Sequence, residues 1–232
     1  MKLAMKAHHP AARACRGLSL VELLVGLVIG LFIAAAGATL LAAQWREHRS
    51  ATTELRLMQE LRGTTELIVR DLRRAGHWGD AAAGLWMPGA SAPQGNPYTA
   101  LAPAGAASNA AAFGYSRDTT ENHLLDGNEQ FGLRLRRGVI ELQLGTGNWQ
   151  ALTDAGTMVV DELRITPALQ ELSLLEHCPR PCPPGAACTA AVQVRSFALQ
   201  IVAHSAGDAG VTRRLHSDVR VRNDALLGTC PA

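Results

Sequence analysis

An α+β fold, with one long N-terminal helix covering one face of an antiparallel sheet, is predicted by three features of the 232-residue sequence. Residues 18–43 are apolar except for one carboxylate, Glu22. An amphipathic pattern without proline continues to residue 76, and short alternating runs then recur to the C-terminus. Helix first and strands afterwards is the order of a segregated α+β layout rather than an alternating α/β one.

The composition suits a folded domain rather than a disordered one, with 47% hydrophobic and 18% charged residues. The formal charge of +2 is unevenly placed. Four of the 22 basic residues, Lys2, Lys6, Arg13 and Arg16, fall in the first 17 positions, where there is no acid. The remainder holds 18 basic against 20 acidic residues, a balance of −2, so no basic face for nucleic acid is expected. Cysteines follow the same boundary. Cys15 lies in the basic leader, while Cys178, Cys182, Cys188 and Cys230 form an even set suited to disulfides in an oxidising compartment.

A helix over residues 18–43 would rise about 39 Å, enough to cross a hydrocarbon core of about 30 Å. The basic residues ahead of it place the N-terminus on the cytoplasmic side. A charge at the centre of such a span costs roughly 2.5–3.5 kcal/mol on insertion scales, so Glu22 calls for a partner or a role. A cleaved secretory signal with Ala36-Gly37-Ala38 as its site puts that acid inside the apolar region. An uncleaved signal anchor explains the length but leaves Glu22 without a purpose.

The stretch Gly17-Leu18-Ser19-Leu20-Val21-Glu22-Leu23-Leu24 resembles the processing site of class III prepilins, the precursors of type IV pilins and type II secretion pseudopilins. The resemblance implies cleavage by a prepilin peptidase after Gly17 and N-methylation of Leu18, with Glu22 as the fifth mature residue. Leucine replaces the commoner phenylalanine at the first mature position. It also gives Glu22 a task. Its carboxylate would pair with the new ammonium of a neighbouring subunit, compensating two buried charges and setting axial register.

The second half of the helix carries Leu55, Met58, Leu61, Thr65, Ile68, Leu72 and Ala75 at steps of three and four, with Arg56, Glu60, Arg70 and Arg73 mostly opposite. Gly76 is the expected stop. One helix over residues 18–75, roughly 87 Å long, follows; a soluble coiled-coil stalk is the plainer alternative. Major pilins commonly carry a helix-loosening proline in the apolar half; here Gly26, Gly30 and Gly37 stand instead, suited to flexibility or to close helix packing.

Residues 79–112 are rich in Ala, Gly and Pro and read as a long surface connection, with Trp78 and Trp86 placed to tack it down. Strands are predicted over 111–115, over 131–144 as a hairpin turning at Arg137-Gly138, and over 158–166, 192–203 and 215–222. On the resemblance the chain divides into a leader (1–17), a membrane and filament-core helix (18–43), an amphipathic half (44–76), a connection (77–112) and a sheet domain with a Cys-rich end (113–232).

The cluster His177-Cys178-Pro-Arg-Pro-Cys182, followed by Cys188, does not have a familiar zinc spacing, and two disulfides are expected instead. Four cysteines allow three connectivities. Cys178–Cys182 with Cys188–Cys230 would clip the loop locally and tie the C-terminus to the sheet. Asp126-Gly-Asn128 lacks the closing glutamate of a calcium loop and reads as a solvated turn. Gly145-Thr-Gly147 is too short to cradle phosphate and reads as a strand end. No catalytic group, cofactor or metal is expected.

The stretches at 70–79, 134–145 and 218–223 most resemble PilW-type minor pilins. That resemblance implies an assembly role at the filament tip, with the prepilin peptidase, other minor pilins and the major pilin as partners. It also implies an inner-membrane precursor with a periplasmic domain, later carried into the fibre. Two other readings remain: a J-type pseudopilin of type II secretion, and a membrane-anchored binding or sensor module.

Overall fold

The computed structural model describes residues 17, 19–84, 94–186, 188–228 and 230–231. A single helix, α1 (Leu20–Arg74), runs uninterrupted for 55 residues. The absence of proline from Pro10 to Pro88 leaves every backbone N–H of this stretch able to bond. Packing divides the chain into two units, the first ending at Arg49 and the second beginning at Ser50.

In the first unit the apolar side chains of α1 are exposed, among them Leu23, Leu27, Leu31 and Phe32. A helix that is apolar all round is built for lipid or for burial among other helices. In the second unit α1 has one buried face: Leu57, Leu61, Thr64, Thr65, Ile68 and Leu72. It contains Leu61, Thr65, Ile68 and Leu72 of the expected stripe, with Ala75 buried beyond them, and departs from that stripe at its start. Leu55 is exposed and Leu57 is buried. Two residues correspond to about 200° on a helix, so a stripe running through 57, 61, 64, 68 and 72 excludes 55. Each fully buried leucine or isoleucine contributes roughly 1.5–3 kcal/mol of transfer free energy.

The strands are β1 (Leu101–Ala102), β2 (Ala110–Gly114), β3 (Gln130–Arg136), β4 (Val139–Leu144), β5 (Trp149–Ala151), β6 (Met158–Ser173), β7 (Ala191–Ser205), β8 (Asp208–Arg220) and β9 (Ala225–Leu227). They form two sheets rather than the single one expected: β1 to β5 in sequence order, and β6-β7-β8 with β9 also paired to β7. All of these pairings are antiparallel. Alternation shows that a strand has an inner face but not which sheet it joins, and β1, β5 and β9 are too short to alternate at all. The hairpin turn falls where expected, with Arg137 and Gly138 at φ +51° and +77°, the pair of positive values that a two-residue hairpin turn favours.

One apolar core unites the helix with both sheets. Leu61, Ile68 and Leu72 meet Phe113, Phe131, Leu133 and Ile140 of the first sheet and Ile165, Phe197, Leu199 and Ile201 of the second. On β7 the buried positions alternate without a break from Arg195 to Ser205, the signature of a strand with one covered face.

The connection after α1 is more structured than its composition suggests. It includes a 3-10 turn (Ala81–Gly84), the strand β1 and the start of β2, and it buries Tyr98 to 1% exposure. Trp78 is buried and stacks edge-on against His123, with ring centroids 5.6 Å apart. Trp86 lies outside the described residues.

Candidate functional site

At the N-terminal segment, Gly17 is exposed and non-helical, and Leu18 lies outside the described residues. The Ser19 carbonyl accepts the first intrahelical bond, from the Leu23 N–H at 3.1 Å, so α1 opens at Ser19. Ser19-Leu20-Val21-Glu22 therefore has the serine and glutamate spacing of a capping box, a signal not drawn from the sequence beforehand. Glu22 stands in the first turn, where the positive end of the helix dipole favours an acid.

That position changes the cost of the charge. The 21 residues from Leu23 to Ala43 alone rise about 31 Å and suffice to cross a hydrocarbon core. A span so placed would leave Glu22 at its mouth and not at its centre.

The four C-terminal cysteines form two disulfides, and the expected pairing is corrected. Cys178 bonds Cys230, with Cα atoms 5.5 Å apart, and Cys182 bonds Cys188, at 6.0 Å. The reason lies in β9. It runs beside the start of β7, pairing Leu227 with Ala191, and so brings the C-terminus back to the segment that follows β6. Cys182 and Cys188 flank a turn in which the Ala186 N–H donates to the Pro183 carbonyl and Gly185 takes φ +83°.

The turn at Asp126 belongs to an acidic group. Oxygens of Asp118, Asp126 and Glu129 lie within 4.8 Å of one another. The Glu129 carboxylate is fully buried and accepts from the Arg117 N–H, the Asp126 N–H and the Tyr98 hydroxyl at 2.8, 3.0 and 3.1 Å. These bonds close the turn by a capping arrangement. Burial and then the neighbouring acids Glu129, Asp126 and Glu121 raise the Asp118 pKa. Gly145 and Gly147, both at positive φ, make the tight turn between β4 and β5, as a strand end should.

A node at the end of α1 escaped the sequence reading. Arg195 on β7 is 3% exposed and donates to the carbonyls of Thr99 and Asn223, each at 2.6 Å. Asn96 and Asn223 donate to the carbonyls of Gly76 and Ala75, satisfying the helix C-terminus. Burial lowers the Arg195 pKa, and the nearby Asp224 works in the opposite direction. An alternating strand offered one signal, a lone arginine in an inward register.

Two family models match the chain. Residues 12–38 match the prokaryotic N-terminal methylation motif, and residues 50–221 match prepilin peptidase-dependent protein B. No curated protein and no solved structure matches the chain. The second match spans most of the domain whose helix face, paired sheets and core are described above, while the first covers Gly17, the opening of α1 and Glu22. By both its N-terminal motif and its domain, the chain belongs to the prepilin peptidase-dependent protein B family, a class of pilin-like structural proteins.

Proposed function

We propose that the protein is a minor pilin precursor of PilW type that acts in type IV pilus assembly as a subunit of the priming or tip complex. A prepilin peptidase cuts between Gly17 and Leu18 and methylates Leu18, and α1 remains as anchor and later as filament core. The carrying observation is the N-terminal motif over residues 12–38, joined to an apolar, exposed stretch of α1. Such a surface is stable only in lipid or packed among other helices, which are the two environments of a pilin before and after assembly.

In this reading Glu22 has two consecutive tasks. In the precursor it caps the mouth of α1. In the filament it pairs with the methylated ammonium of a neighbouring subunit. The domain supplies contacts to other minor pilins and to the major pilin.

Deletion of the gene separates this reading from a pseudopilin role. Loss of surface fibres with intact protein secretion is the expected result. Intact fibres with lost secretion would assign the protein to a type II secretion system, and neither loss would favour an anchored binding module.

A further inference from the structure

From Leu23 to Trp45 no residue of α1 carries a charge; Arg46 ends the run, and the indole of Trp45 is 71% exposed. Ala42, Trp45, Arg46 and Arg49 are spaced by three and four residues, share one face of the helix and line one shallow hollow. Glu47 lies about 200° round from Trp45 and so off this face.

Side chains on a helix lean toward its N-terminus, so Trp45 and Arg46 cover the turn before their own. Arg46 does this measurably, its Nε–H donating to the Ala42 carbonyl at 3.3 Å. An indole and a guanidinium are thereby drawn back over the last apolar turn. Indoles settle at the headgroup level of a bilayer, apolar body inward and N–H at the wet edge, and basic groups beside a span attract anionic lipids.

The spacing agrees. Glu22 and Trp45 are 23 residues apart, about 35 Å, so each falls just outside a hydrocarbon core of about 30 Å.

We propose that the face formed by Ala42, Trp45, Arg46 and Arg49 is a lipid-headgroup site for an anionic phospholipid of the leaflet at the C-terminal end of the span. The Trp45 N–H faces the ester and phosphate oxygens, and the Arg46 guanidinium holds the phosphate, with the positive charge of Arg49 adding to the attraction. The site fixes the depth at which the unassembled helix waits. It rests on the membrane-anchored reading above.

The test uses the full chain in vesicles of phosphatidylcholine and phosphatidylglycerol, with spin-labelled lipids as quenchers. Subtracting the fluorescence of a Trp45→Phe variant isolates Trp45. The expected result is flotation with the vesicles, strongest quenching by a label near the headgroup, and local enrichment of labelled phosphatidylglycerol over labelled phosphatidylcholine of about fivefold. Arg46→Gln should abolish most of that enrichment and leave flotation intact. Flotation with deep quenching, no quenching, or no preference for phosphatidylglycerol overturns the headgroup site alone. Failure to float overturns the anchored reading on which the site rests.

Discussion

Arg195 closes over Gly76 at the point where the long helix ends. Gly76 has φ +73°, and a Cβ built there would lie 2.8 Å from the Arg195 Nη2, an atom held in place by its bond to the Asn223 carbonyl. Helix end, connection and C-terminal segment are therefore joined through one buried guanidinium. Gly76→Ala should destabilise the domain by roughly 1–3 kcal/mol through left-handed strain and the displaced arginine. Arg195→Met should cost a similar amount by orphaning two carbonyls. Thermal unfolding of the full chain in detergent, followed by near-ultraviolet circular dichroism, checks both. A double variant that loses clearly less than the two single losses added together would demonstrate that they act on one node.

Tyr98 predicts an alkaline limit to stability. Its hydroxyl is buried beside the carboxylates of Glu121 and Glu129, at 3.0 and 3.1 Å, and burial first, then these acids, push its pKa well above the usual 10. A raised folded pKa means that stability is complete below the unfolded pKa and falls as pH rises above it. Above about pH 10 each such tyrosine should remove about 1.4 kcal/mol per pH unit. Burial raises Tyr115 as well, so two groups contribute. Tyr98→Phe should make the slope of stability against pH between 10 and 11 clearly shallower, measured by thermal unfolding.

The two disulfides differ in the chain they enclose. Cys178–Cys230 spans 52 residues and Cys182–Cys188 spans 6. On loop-closure entropy the first contributes about 4 kcal/mol and the second about 2 kcal/mol. Replacing both members of the longer pair by serine should therefore lower the unfolding temperature more than replacing the shorter pair. Peptide mapping without reduction gives the pairing itself.

Much of this was legible in the sequence, and the rest shows where local pattern stops. The hairpin at Arg137-Gly138 and the stop at Gly76 are legible from Gly138 and Gly76, which take positive φ without strain, a local property. The helix face is legible from Leu61 to Ala75 but not at its start, because Leu55 and Leu57 are equally apolar and only the sheets decide which one faces them. The disulfide pairing depends on β9 returning to β7, a contact between distant residues that cysteine spacing does not record. At the N-terminus the opposite holds. The motif is contiguous and readable, whereas the place of Glu22 in the first turn follows from a helix that opens at Ser19.

Glu22→Gln separates the two tasks assigned to that residue. Glutamine retains the capping geometry but removes the charge. The expected outcome is normal processing at Gly17 with incorporation into fibres reduced at least about tenfold, measured by immunoblot of sheared filaments. That tenfold corresponds to about 1.4 kcal/mol, well within the 3–5 kcal/mol that breaking a buried pair can cost. Normal incorporation would remove the counter-ion role and leave capping alone.

Processing turns on one peptide bond, between Gly17 and Leu18. Intact-mass and N-terminal peptide analysis of the protein purified from its own membranes tests it most directly. The expected result is a chain that begins at Leu18 and carries one added methyl group on its amino nitrogen. A chain that retains residues 1–17, or one that begins at Thr39 after Ala36-Gly37-Ala38, would contradict it.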